Sequence, residues 1–222
     1  MRELSGRLLT AFVSCLILAA VFGYVASSIG NGNIVQFDTP IIHFVQGAET
    51  PWLTEVMKVF TAIGSTNGVL AISAITLSLL LYFRQKALTI LFVIVVGGTA
   101  ALNLVLKLFF HRARPDLNRL IEISGYSFPS GHTMMATSLY VILAFILWRN
   151  ARNSSRIIYV IGAIFMIGMI CISRIYLGVH YPSDIVGGII SSAFWLLLAI
   201  SVYNVSLNKR YSKSPLPTRR SS

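Results

Sequence analysis

At 222 residues the chain is long enough for one or two soluble domains, but 55% of it is hydrophobic and only 11% is charged. With a mean hydropathy of +0.76, this composition excludes an ordinary soluble domain and points to an integral membrane protein. The formal net charge of +11 would suggest nucleic-acid binding in a soluble protein, so its basic residues must first be sorted by side of the membrane.

Apolar runs of about 20 residues recur, each long enough to cross a hydrocarbon core about 30 Å thick as a helix. A β-barrel would show short alternating segments instead. The expected fold class is therefore all-α, a bundle of six transmembrane helices with short interfacial helices at one face. Arg2 and Arg7 precede the first run, from about Leu8 to Ile29, which is too long for a signal-peptide core and reads as a retained span. The stretch from about 31 to 65 is mixed, with Pro40, Gly47 and Pro51 breaking it into pieces. Within it Trp52, Val56, Phe60 and Ile63 recur at helical spacing with Thr54, Glu55 and Lys58 between them. That pattern fits a helix at the interface or over a pocket mouth, or a connector packed on neighbouring spans.

The second span is expected over Gly68–Phe83, closed by Arg84-Gln85-Lys86, and the third over Ala87–Phe110 with Lys107 in its last turns. Gly97-Gly98-Thr99-Ala100-Ala101 gives the third a small-residue patch suited to helix packing. A polar segment follows from His111 to Phe128, carrying Arg112, Arg114, Asp116, Arg119 and Glu122, and leads into Pro129-Ser130-Gly131-His132. The fourth span ends near Trp148, and the fifth, after Arg149, Arg152 and Arg156, covers Ile157–Leu177. The sixth begins near Asp184 and ends near Asn208. Residues 1–208 then form one domain, and 209–222, with Pro215 and Pro217, a basic disordered tail. Cys15 and Cys171 both lie in apolar runs and read as packing residues.

Placing both termini in the cytoplasm puts Arg2, Arg7, Arg84, Lys86, Arg149, Arg152, Arg156, Lys209, Arg210, Lys213, Arg219 and Arg220 inside, twelve of the 18 lysines and arginines. Much of the net charge is then a topology signal, and nucleic-acid binding loses its motivation. Under that topology Lys107, the 111–132 segment, Arg174, His180 and Asp184 share the outer face. Lys107, Arg114 and Arg174 converge there with the helix N-terminus at Ser130-Gly131-His132, an arrangement suited to an anion and above all to phosphate. His180 and Asp184 are four residues apart, so the carboxylate can reach back, fix one imidazole tautomer and leave the other nitrogen basic, as base or nucleophile. His132, without an acid at helical spacing, suits proton delivery to a leaving oxygen. His43 and His111 read as hydrogen-bonding residues of polar loops.

Other readings compete. Two histidines and an aspartate can ligate a metal, but three neighbouring cations oppose it. Ser130 could attack with His180 and Asp184 completing a triad, but no Gly-x-Ser-x-Gly elbow is present. A carrier or receptor for phospholipid headgroups would need the cations yet have no use for the His180 and Asp184 pair.

The residues resemble the signature of the type 2 phosphatidic acid phosphatase (PAP2) family. Lys107, six residues and Arg114-Pro115 match its first part; Pro129-Ser130-Gly131-His132 its second; Ser173-Arg174, five residues, His180, three residues and Asp184 its third. The resemblance implies a metal-independent lipid phosphate phosphatase without cofactor. By position, His180 would form a phosphohistidine, Asp184 would orient it and His132 would protonate the leaving group. Lys107, Arg114, Ser130, Gly131 and Arg174 would hold the phosphoryl oxygens. Among small bacterial members the likeness is to phosphatases of phosphatidylglycerophosphate and undecaprenyl pyrophosphate, with phosphatidic acid a further substrate. The implied partners are that lipid phosphate and the bilayer, with no nucleic acid and no obligate protein. The implied location is the plasma membrane, with the site on the extracytoplasmic face.

Overall fold

The computed structural model describes residues 2–116, 118–151 and 156–213, and every regular element among them is helical. The helices are α1 (Arg2–Gly30), α2 (Val35–Gln46), α3 (Pro51–Ile63), α4 (Thr66–Tyr82), α5 (Lys86–Phe110), α6 (Gly131–Asn150), α7 (Arg156–Tyr176) and α8 (Pro182–Lys213). Five of them, α1, α5, α6, α7 and α8, contain segments individually long and apolar enough to cross a membrane. The sixth crossing falls to α4, whose 17 residues rise about 26 Å at 1.5 Å each. It follows α3 across a bend of 52°, and the two together pass as one broken span. Each expected span is thus matched by a helix. The sixth runs on to Lys213, five residues past its expected end, and 214–222 lie outside the described residues.

Capping residues explain where the middle helices start. Thr50 accepts from the Leu53 N–H at 3.3 Å, with Pro51 in the first turn of α3, and Ser65 does the same for α4 through Gly68 at 3.3 Å. The expected helix over 51–63 is present. The 31–50 stretch differs from expectation, because Pro40 lies inside α2 rather than ending it. Only one backbone hydrogen bond is lost at a proline, and Asp38 and Ile42, buried on the inner face of α2, hold the helix against the bundle.

The central element is α6, which touches α4, α5, α7 and α8. Met134, Ala136, Ser138, Leu139 and Ile142 along it are fully enclosed. Around it Val69 and Leu80 of α4, Phe92 and Val95 of α5, and Leu196 and Ala199 of α8 form the main core. Buried hydroxyls are paired across helices: Thr99 donates to Ser138 at 2.7 Å, and Ser192 to the Met134 carbonyl at 3.1 Å. Outward surfaces carry exposed Leu9, Phe12, Leu104, Val105 and Ile164, the pattern expected where lipid replaces water.

The small-residue patch of α5 serves packing at one position. A Cβ on Gly98 would stand 2.2 Å from the Trp195 ring of α8, whose indole N–H meets the Ile94 and Val95 carbonyls at 3.1 and 3.2 Å. Gly97 faces open space. Gly98→Val should therefore overpack this contact, cost about 1–3 kcal/mol and lower Tm in detergent, whereas Gly97→Ala should leave Tm unchanged. An unaltered Tm for Gly98→Val would show that α5 and α8 are not apposed there.

Candidate active site

The ends of α5, α6, α7 and α8 that meet the 111–130 and 177–181 connections form a polar cluster, roofed by α2 and α3. At its centre is Asp184 in the first turn of α8, fully buried. Its Oδ2 accepts from the Tyr181 backbone N–H at 2.9 Å, a capping interaction that ties the start of α8. The same oxygen accepts from the Ser127 hydroxyl and from His180 Nδ1, the latter at 3.2 Å. Its Oδ1 accepts from Arg112 Nη1 at 2.7 Å.

His180 sits in the turn between α7 and α8 with 2% of its surface exposed. Its Nε2 lies 3.2 Å from Arg114 Nη1. A guanidinium only donates, so Nε2 carries the lone pair and the proton resides on Nδ1, directed at Asp184. Burial pulls the imidazole pKa below its ordinary value, and the cations Arg174 and Arg114 act in the same direction against the hydrogen bond and charge of Asp184. His180 is therefore neutral near pH 7, with its free electron pair facing the cations.

Arg114 crosses from the 111–130 loop and fastens it. Its Nε donates to the Gly125 carbonyl at 3.0 Å, its Nη2 to Ser124 at 3.2 Å and its Nη1 to Val179 at 2.8 Å. The loop can approach the turn because Gly178 has φ +71 and no side chain; a Cβ there would stand 2.1 Å from the Asn118 carbonyl. Arg174, in the last turn of α7, is fully buried. Its Nη1 donates to Thr61 of α3, while Nε and Nη2 have no hydrogen-bond partner among the described residues. Buried guanidinium nitrogens in that state are prepared for an anion.

Lys107 lies within electrostatic range of Arg114, Asp184 and Arg174, and His132 within range of Arg174, His180, Lys107 and Arg114. Ser130 is enclosed: its Oγ accepts from the Thr133 N–H at 3.4 Å, and its own N–H donates to the Asp184 carbonyl at 3.1 Å. Gly131 begins α6 where a Cβ would meet Asn103 Oδ1 at 2.9 Å. The expected set of Lys107, Arg114, Ser130, Gly131, His132, Arg174, His180 and Asp184 thus gathers at one end of the bundle. His43 and His111 stay outside it, the latter packed edge-on against Tyr126 at 4.5 Å. Both ring nitrogens of His180 are engaged by Asp184 and Arg114 rather than by Ser130, so the serine triad does not assemble.

Four participants were not singled out by spacing: Arg112, Asp38, Ser127 and Thr61. Arg112 read as one more basic residue of a polar loop. Asp38 offered a faint signal, as one of only seven acidic residues in the chain. Ser127 and Thr61 carried none.

Residues 86–207 match the PAP2 superfamily, a segment that holds every one of the eight expected site residues. Phosphatidylglycerophosphatase B of Bacillus subtilis is 32% identical over 170 residues, 75% of this chain and 83% of that protein. Undecaprenyl-diphosphatase of Sulfolobus acidocaldarius is 22% identical, covering 84% and 88% of the two chains. Among solved structures, the PAP2-type phosphatidylglycerolphosphate phosphatase of Bacillus subtilis superposes with a TM-score of 0.80 at 27% identity, over 91% of this chain and 99% of that one. Motif, matched segment and fold agree, and the chain belongs to the PAP2 superfamily as a multi-span membrane lipid phosphatase.

Proposed function

We propose that the chain removes a terminal phosphate from phosphatidylglycerophosphate, undecaprenyl pyrophosphate or phosphatidic acid through a phosphohistidine on His180. The carrying observation is His180 itself, held with Nδ1 on Asp184 and the Nε2 lone pair toward Arg114. A phosphoryl group entering the cluster takes the Arg114 donor for its own oxygen and exposes Nε2 to phosphorus. The Arg174 nitrogens without a partner among the described residues, Lys107, the Ser130 hydroxyl and the Gly131 N–H share the equatorial oxygens as charge develops. The N–P bond forms as the P–O bond to the leaving group breaks, and His132 supplies the proton to the departing oxygen. Water then attacks phosphorus, His132 takes its proton, the N–P bond breaks and inorganic phosphate leaves with His180 regenerated.

Chemistry of this kind needs no metal. Among the described residues, no three His, Cys, Asp or Glu side chains are grouped to hold one. A carrier of phospholipid headgroups would be served by the cations alone and gives the histidine pair no task. The positive-inside bias supports a site on the extracytoplasmic face, with both termini cytoplasmic, in the plasma membrane proposed for this chain. That face suits undecaprenyl pyrophosphate, which is released there, whereas phosphatidylglycerophosphate would cross from the inner leaflet. A side-by-side turnover comparison of the three lipids with the purified full chain ranks them.

Purified enzyme should release phosphate in excess EDTA, and His180→Ala should reduce turnover by at least about 10³-fold. Rapid quenching should trap an acid-labile, alkali-stable phosphoenzyme in the wild type and none in His180→Ala. Inhibition by EDTA, or a His180→Ala variant matching wild type, overturns the mechanism.

The pH profile follows from burial. Because His180 is pulled below the ordinary imidazole pKa of about 6.5, its attacking neutral form persists to lower pH. The acid limb of kcat/KM, corrected for titration of the substrate phosphate, should lie below that value. Asp184→Asn removes the group that opposes the depression, so the limb should move lower still while kcat drops by about 10³-fold or more, as when an orienting aspartate becomes an amide. A limb at or above pH 6.5 would assign the essential base elsewhere.

A further inference from the structure

Asp38 lies in α2, distant in sequence from every expected site residue, and only 2% of it is exposed. Its Oδ1 accepts from the Ser183 N–H at 2.8 Å, and its Oδ2 accepts from the Ser183 hydroxyl at 2.7 Å and from Arg112 Nη2 at 3.0 Å. The other terminal nitrogen of the same guanidinium, Nη1, donates to Asp184 at 2.7 Å. The Arg112 guanidinium carbon lies over the Tyr181 ring, 4.0 Å from its centroid. The result is a chain of alternating charge, Asp38, Arg112, Asp184 and then His180.

We propose that Asp38 is a positioning residue for phosphoryl transfer: it fixes and neutralises Arg112, so that Asp184 keeps its negative charge for His180. This rests on the assignment of His180 as nucleophile and Asp184 as its orienter. Arg112 alone beside Asp184 would make a neutral pair, and His180 would face little net charge as it turns cationic on phosphorylation. With Asp38 on the far side of the guanidinium, the three groups together carry one negative charge, the same as an isolated aspartate. No other acid among the described residues is placed to do this. Among the described residues, the remaining charged or titratable groups near His180 are Lys107 of α5, Arg114 of the loop, His132 of α6, Arg174 of α7 and the adjacent Tyr181, and they are cationic or neutral. Asp38 also binds the N-terminal turn of α8, where Asp184 sits, so one side chain sets both the charge and the placement of the orienting carboxylate.

The test is Asp38→Asn in the full-length protein, a change that keeps size and an acceptor for the Ser183 N–H while removing the charge. Expected are a loss of about ten-fold in kcat, a KM within about two-fold of wild type because no phosphate-holding group is touched, and an acid limb of kcat/KM moved to lower pH. Adding Arg112→Gln removes the uncompensated cation, so the double variant should lose less than the product of the two single losses. The inference is overturned if Asp38→Asn keeps wild-type kcat and pH profile, or if the two losses multiply. It is equally overturned if the activity loss matches the loss of folded protein at an unmoved acid limb. A wild type that releases no phosphate from any lipid overturns the phosphatase reading and the inference with it, whereas an active wild type matched by Asp38→Asn removes the inference alone.

Discussion

The structure of this end of the bundle depends on satisfying one carboxylate, that of Asp184, away from solvent. A buried carboxylate must be hydrogen-bonded, and leaving it unpaired is far costlier than leaving out a neutral group. Here the donors come from distinct places: Arg112 and Ser127 from the 111–130 segment, His180 and the Tyr181 N–H from the turn before α8. Each donor ties its own segment to the start of α8. The same interactions that make the carboxylate tolerable at this depth therefore assemble the cluster, and folding and function share them.

Around that centre the balance of charge tips toward cations. Lys107, Arg114 and Arg174 approach one another without enough acid to neutralise them, since Asp184 is engaged by His180 and Arg112, and Asp38 by Arg112 and Ser183. Like charges gathered at low dielectric destabilise the ligand-free protein, and Nε and Nη2 of Arg174, without a partner among the described residues, add to that. A phosphoryl group relieves both at once. In the proposed mechanism, binding and charge stabilisation in the transition state would draw on these cations, which are gathered before the ligand arrives.

What was legible in the chain and what was not divides along physical lines. Spans announce themselves by length and apolarity, and His180 and Asp184 by a separation of four that one turn of chain can close. Lys107 and Arg114 are also local, placed by the end of α5 and the loop that follows. Asp38 and Ser183 are 145 positions apart, and Arg174 and Thr61 113, and no periodicity connects such pairs. Pro40 made the 31–50 stretch look like broken connector, yet inner-face contacts outweigh one missing hydrogen bond. Arg112 was hidden differently: a polar segment with several arginines does not reveal which one turns inward.

The helices α2 and α3 therefore stand in a different relation to the site than a connector would. Gln46 donates to the carbonyls of Asn118 at 2.8 Å and Tyr176 at 3.3 Å, and Asn118 donates to Glu49 at 2.6 Å. The Tyr176 hydroxyl meets Thr54 at 2.9 Å and the Thr50 N–H at 3.1 Å. Met57 packs beneath them with Leu177 and Val179, the residues that flank the turn carrying His180. Above this buried layer Trp52 and Phe44 remain 75% and 84% exposed, aromatic surfaces of the kind that sit at a membrane boundary. The buried faces of α2 and α3 thus hold the turn that carries His180, while their outward faces mix these aromatic rings with the exposed Glu55 and Lys58 ion pair.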